Sequence, residues 1–503
     1  MYACGRQRAR FQDRYGIVDD YPRMNWLSGQ QISAVVDEAI GVLENTGVLI
    51  ESERALRELA GRGVRTGRKR AFFSAEMAEK SLAAAPDRVV LYGRDSSVGV
   101  ELGGGSLHFN PGSSAIRILD LQRKKARKPV SRDLVDFALL TDALPGYSMQ
   151  STALVPADVP ETAADSYRLY LALIFSGKPV VTGTFTGEGL APMLEMLEIA
   201  AGGQERLRRY PRAIFDTCPT APLTWSALTV DTLIDCASRG VPVQIVPMPL
   251  AGATSPATLY GTVVQHCAEN LSGIIISQLI SPGSPVVYGG SPAYFDMRKG
   301  TTPVGGVEAL MINGAAAGIA RHLGLPSHAY MALSDSRSLD YQCGMETAMG
   351  AAIAAVSGVN NVSGPGMHNF QTWQSMEKLI IDNEICLMAG RMRSGIRPGA
   401  GSTAADVVDE GVRAGSFLTL SDTLRKFREE AFFPGRVIDR EAGDGVSAPA
   451  EGEILERARA RKDQILESGG EDVLSGEKRR PLEEVMSGTA RRAGMERMPE
   501  ITG

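Results

Sequence analysis

Along the middle of the chain, short apolar runs alternate with longer stretches whose apolar residues keep helical spacing. The runs are residues 106–110, 147–155, 179–185, 213–217, 241–246, 285–289, 327–333 and 360–363. Most are too short for a helix and mostly apolar, as strands buried in a parallel sheet should be. Between them the pattern predicts helices over 131–144, 161–175, 189–201, 224–238, 255–280, 306–323 and 370–392, with an Ala-rich helix running from after Ser338 to about Val356. Residues 115–121 predict a return strand forming a hairpin with the first run. The stretch 325–366 shows the unit most plainly: strand, polar loop, helix, strand, glycine loop. Eight such alternations favour a (β/α)8 TIM barrel over an open α/β sheet.

The flanks read differently. Ser28 is placed to cap a helix carrying Ile32, Val35, Val36, Ile40, Val42 and Leu43, and a second helix is predicted near 74–85. Residues 1–100 form an α-rich N-terminal segment, 101–400 the barrel, and 401–503 a helical, charged C-terminal extension. In that extension, 427–433 and 454–466 predict exposed helices, and 471–503 a polar, loosely held end.

Composition narrows the class. An apolar share of 44% with 22% charged residues suits a folded globular chain, and a net charge of −5 gives no reason to expect nucleic acid. The six cysteines form no CxxC pair and read as buried thiols rather than a disulfide frame. Five arginines precede residue 24 without an apolar run behind them, so no export signal or membrane span is expected, and a cytoplasmic location is.

In a barrel the site lies where the strands end. That gathers Asn110, Ser113, Thr184, Phe185, Asp216, Thr217, 247–249, 288–291, 334–336 and 364–368 around one mouth. The five histidines form neither HxH nor HExxH, so no metal site is expected. His368, in the last glycine loop, is the best-placed histidine for catalysis. Asp335 is the second catalytic candidate, although Asp335 or Ser338 could equally cap the next helix, with Asp340 meeting its positive end. Gln342 and Glu346 share one helix face, which suits a surface pair as well as a site. The Gly-Pro-Gly turn at 364–366 has the composition of a phosphate cradle. Aromatic residues are scarce, at 6%. Those near the strand ends (Phe185, Tyr288, Phe295, Tyr330, with Trp225, Tyr260 and Trp373) could line an aromatic pocket or simply fill the core.

Five stretches together resemble the trimethylamine methyltransferase family: LHFNPGSSAIRILDLQ (107–122), KPVVTGTF (178–185), VVYGGSPAYFDMRKG (286–300), ALSDSRSLDYQCGMETAMGAA (332–352) and LSDTLRKFREEAFFPGRVIDR (420–440). The resemblance runs from about residue 30 to 465. It implies a barrel that moves a methyl group from a small methylated amine to the Co(I) corrinoid (cobalamin) of a separate carrier protein, with no cofactor bound by this chain. One branch of that family uses pyrrolysine. This sequence has only standard residues and resembles the other branch, whose members act on quaternary amines such as glycine betaine, proline betaine and carnitine.

Such a substrate is already activated, because its leaving group departs as a neutral amine. What remains is positioning, desolvation and access for a strong nucleophile. An aromatic pocket would hold the cation at about 0.5–2 kcal/mol per ring, and Arg298 or Arg337 could take a betaine carboxylate. The implied partners are the amine and the corrinoid carrier, with homo-oligomerisation left open. Competing readings are methyl transfer to a folate or another acceptor, and a non-catalytic quaternary-amine binding protein.

Overall fold

A computed structural model describes residues 21–397, 403–441, 453–469, 474 and 476–499. Its centre is a ring of short parallel strands: β1 (His108–Asn110), β2 (Gln150–Ser151), β3 (Val180–Gly183), β4 (Ala213–Thr217), β5 (Val243–Ile245), β6 (Val286–Tyr288), β7 (His328–Tyr330) and β8 (Asn361–Ser363). Strands β2 to β6 pair in sequence order, and β7–β8–β1 form a second parallel run. Two joins close the ring. Tyr288 bridges Ser327 between β6 and β7, and the Ser148 amide donates to the Phe109 carbonyl between β1 and β2 at 3.1 Å. The fold is a (β/α)8 barrel.

Each strand is followed by its helix: α1 (Ser131–Ala143), α2 (Glu161–Phe175), α3 (Leu190–Ala201), α4 (Ala227–Arg239), α5 (Leu259–Ile280), α6 (Val307–His322), α7 (Tyr341–Ser357) and α8 (Met376–Ser394). Helix α4 is capped by Ser226, α5 by Thr258, α7 by Asp340 and α8 by Ser375. Residues 117–120 do not pair with β1 as expected. They pair antiparallel with 125–127 and parallel with 373–374, building a small sheet beside the strand ends.

The barrel is stopped at its N-terminal end. A hairpin, Val89–Tyr92 with Val98–Leu102, packs Val89, Leu91, Val100 and Leu102 against Met149, Val181, Ile214 and Val287. Those four barrel residues are its lowest inward layer. Further out, helix Gly29–Asn45, begun by the Ser28 capping box, lies on α5. The two-residue strand Thr224–Trp225 joins the N-terminal sheet through Val48–Ile50, so the segment before the barrel is stitched to it.

The C-terminal extension divides. Helix Ile454–Glu467 packs on α8 and α1, and helix Gly476–Arg492 on α2 and α3. The latter buries Leu482, Met486 and Ala490, which corrects the expectation of a loosely held end for its described residues. Helices Ala404–Ala414 and Ser421–Glu430 bury almost nothing. The first twenty residues of the N-terminal segment lie outside the described residues. No helix among the described residues is long and apolar enough to cross a membrane.

Candidate active site

Above the apolar stop, the barrel interior turns polar. Asn110 on β1 donates to Asn361 Oδ1 (2.8 Å) and Ser363 Oγ (2.9 Å) on β8. Asn361 donates across the barrel to Gln244 Oε1 on β5 at 3.0 Å, and Gln244 donates to Asp216 on β4. From β7, the Tyr330 hydroxyl lies 3.2 Å from Asp216 Oδ2 and 2.9 Å from the Ser113 carbonyl beyond β1. His328 shares a 3.0 Å bond with Ser363 Oγ. These side chains bond one another in the barrel interior, with His328 Nδ1 left without a partner. Asn110, expected to touch substrate, is fully buried and committed to this network. Asp216 is only half-buried, although it sits inside the ring. Burial without a cation pushes its carboxyl up to about 6, against the opposing bonds from Gln244 and Tyr330.

The loops after β7 and β8 carry the expected catalytic pair, and they interlock. Ser334 N donates to Met367 O at 3.3 Å and Asn369 N to Ser336 O at 3.0 Å. Asp335 accepts from the Val304 and Gly305 amides at 3.1 and 3.0 Å. Burial pushes it up to about 7, opposed by the Gly305 amide and helped by the Glu346 charge. Glu346 accepts from Ser334 Oγ (2.6 Å), the Asp335 amide (2.8 Å) and exposed Gln342 (2.9 Å). The helix cap is Asp340, whose Oδ1 takes the Cys343 amide at 3.0 Å. Asp335 therefore holds the loop after β6 and leaves capping to Asp340.

His368 is fully buried, with Nδ1 3.3 Å from the Ser336 carbonyl and Nε2 without a partner. Burial, with Lys378 nearby, lowers its pKa to about 4, so it is neutral near pH 7. Its ring meets the Trp373 ring edge-on at 5.5 Å. Behind it, Lys378 pairs with Asp382 at 2.5 Å, and Asp382 takes the Gly366 amide at 2.6 Å. The Gly364 amide is taken by the Asn110 carbonyl, at 3.2 Å, and Gly364 adopts φ +145°, with the Met331 carbonyl where a Cβ would lie. Both glycine amides are thus spent within the protein. The phosphate cradle is not there.

The aromatic expectation is redistributed. Tyr288 is 1% exposed and points outward into α5, its hydroxyl 3.4 Å from His266 Nδ1. In the turn behind it, Gly289-Gly290, His266 Nε2 would lie 2.1 Å from a Cβ at Gly290, which holds that position to glycine. Trp225 bonds Ser272 and Tyr260 bonds Glu38, both in the helical layer. Phe295 is half-buried on an extension paired beyond β5, and Phe185 is exposed on the rim. Tyr330 is the ring that reaches the barrel interior. Arg337 is exposed, while Arg298 forks onto Asp296.

One residue escaped the sequence reading altogether. Arg168 on α2 is buried, bonded to Asp165 (3.1 Å) and to the Thr152 and Gly183 carbonyls, with its guanidinium 5.0 Å from the Phe185 ring. The other oxygen of Asp165 takes the Phe185 and Thr186 amides at 2.7 and 3.0 Å. The pair fixes the rim loop after β3. Backbone strain gathers at the same face: Ala332, Asn369, Phe370 and Gln371 all have φ between 49° and 63°. Consecutive left-handed residues of this kind cost about 1–2 kcal/mol each, and such strain clusters at functional sites. Gln371 is tied from there to Ser291 at 2.9 Å. Among the described residues no group of three or more His, Cys, Asp or Glu is arranged to hold a metal ion.

Known proteins share this architecture and sequence. The monomethylamine methyltransferase of Methanosarcina barkeri superposes with a TM-score of 0.53 over 94% of this chain and 91% of its own, at 12% identity, a likeness of fold. The trimethylamine methyltransferase MttB of Desulfitobacterium hafniense DCB-2 is 30% identical over 88% of this chain and 89% of its own. A glycine betaine methyltransferase from strain Y51 of that species is 31% identical over 88% of this chain and 93% of its own. The profile of the family described as "Trimethylamine methyltransferase (MTTB)" matches residues 3–494. The chain belongs to the trimethylamine methyltransferase family.

Proposed function

We propose that this chain takes a methyl group from a quaternary or tertiary methylated amine, betaine-like in character, and delivers it to the Co(I) corrinoid of a separate carrier protein in the cytoplasm. The observation that carries the reading is the charge at the strand ends. Asp216, Asp335 and Glu346 meet no cationic partner among the described residues. A cleft lined by one sign of charge within low-dielectric walls concentrates ligands of the other sign. That suits an ammonium. Relatives named for trimethylamine and for glycine betaine support the same substrate class.

In this reading the chain's own residues bind and orient the amine at the mouth while the barrel excludes water from it. The corrinoid on the carrier supplies the nucleophile. The C–N bond breaks with its electron pair remaining on nitrogen, so a quaternary ammonium leaves as a neutral amine without an acid, and a tertiary amine does so when it arrives protonated. The test is a panel of methylated amines, each incubated with the chain and a reduced corrinoid carrier while the cobalt absorbance is followed. Methylation with at least one quaternary or tertiary amine is expected. Transfer to tetrahydrofolate with no response from the carrier would instead establish the folate reading.

A further inference from the structure

We infer that Asp216, held at the floor of the barrel mouth by Gln244 and Tyr330, is the seat of the positively charged nitrogen of a methylated ammonium substrate. This rests on the methylated-amine reading above. Three observations lead to it. Asp216 turns its carboxylate into the barrel, toward Gln244 and Tyr330, while the residue as a whole keeps part of its surface exposed. Its position is fixed by a relay of amides: Asn110 orients Asn361, Asn361 occupies Gln244 Oε1, and Gln244 must then turn its NH2 group to Asp216. The third observation is a proton too few. The Tyr330 hydroxyl faces two acceptors, Ser113 O at 2.9 Å and Asp216 Oδ2 at 3.2 Å, and the Ser113 amide already points at its oxygen from 3.3 Å. One hydrogen cannot serve both.

With that hydrogen given to the Ser113 carbonyl, either Asp216 carries a proton itself or its Oδ2 receives none from Tyr330. Burial raises the pKa of Asp216 to about 6, against the lowering bonds from Gln244 and Tyr330. Arg168, the buried cation of the wall beside Tyr330, is already bound to Asp165 and two carbonyls. An ammonium arriving above Asp216 supplies the missing charge.

The seat has a defined kinetic role. A carboxylate attracts the full charge of the bound ammonium more strongly than the dispersed charge of the transition state. Such an interaction lowers KM without raising kcat. When the methyl leaves, the nitrogen becomes neutral and the attraction ends; the freed lone pair can then take a proton from water.

The experiment is calorimetry on the full chain with glycine betaine, tetramethylammonium and 3,3-dimethylbutyrate, the last having a tert-butyl group where the betaine has its ammonium. Wild type should bind both cations. Asp216→Asn should weaken them at least tenfold, leave 3,3-dimethylbutyrate within twofold, and raise KM with kcat unchanged or higher. A folded Asp216→Asn protein that keeps cation affinity within twofold overturns the seat and leaves the methylated-amine reading standing. A wild type that binds neither cation overturns both. If Asp216→Asn does not fold, the wild type decides alone. Groups facing Asp216 are Tyr330 and, on its own strand, Cys218, with Arg168 acting on Tyr330. Tyr330 and Cys218 stay protonated near pH 6, so cation binding there should release a fraction of a proton, read from the heats in buffers of different ionisation enthalpy. Binding without proton release would sink the proposal.

Discussion

Asp335 and Asp340 share one loop and do different work. Asp340 caps α7, so Asp340→Ala should cost about 0.5–2 kcal/mol of stability and leave turnover per folded molecule unchanged. Asp335 holds two amides of the neighbouring loop, and burial raises its pKa from 3.8 to about 7. Between those values the folded chain keeps a proton that the unfolded chain has released, so this group lowers stability as pH rises from about 4 to 7, by at most about 4 kcal/mol. Asp216 and Glu269, also raised, add slopes of the same sign. Comparing melting against pH for wild type and Asp335→Asn isolates the one contribution: the variant should be less stable at pH 5, having lost an acceptor, yet flatter towards pH 8. A second residue-scale expectation concerns Tyr288. Tyr288→Leu should destabilise by about 1–3 kcal/mol and leave the preference for glycine betaine over 3,3-dimethylbutyrate unchanged; a shift in that preference would place its ring in the site. The sequence could not show which way Tyr288 points, because both faces of a barrel strand are covered and alternation disappears. A different signal was available. Most of the short apolar strands carry a polar residue near their centre or end (Asn110, Asp216, Gln244, His328, Asn361), and these are the side chains that turn inward.

Strand–helix alternation was legible because it rests on run length and period, which survive in any barrel. The small sheet of 117–120 with 373–374 was not, since it joins segments far apart in the chain by only two register pairs. Nor was the Lys378–Asp382 pair, which reads in sequence as an ordinary exposed i, i+4 contact but is buried beneath the last loop. Removing one partner strands the other. Lys378→Met should therefore cost about 3–5 kcal/mol, and the Gly364–His368 loop should lose amide protection before the barrel strands do. Hydrogen exchange measures this; uniform loss across the molecule would show that the pair supports the fold in general rather than that loop.

At the scale of the whole molecule, the helix Gly476–Arg492 is part of the structure rather than a tail. Ending the chain at residue 475 exposes Leu482's berth and that of Met486 against α2 and α3, for a loss of about 3–6 kcal/mol, visible as a lower melting temperature. The hairpin plug has a different kind of consequence. A barrel stopped at one end has a single doorway, so traffic must take turns. If a protein-borne acceptor covers the mouth, the amine has to be aboard beforehand, and the spent amine waits until the acceptor lifts away. Initial rates should therefore show compulsory order, with excess acceptor inhibiting at low amine and relieved by more amine. Random-order kinetics would mean that a second exit opens during turnover.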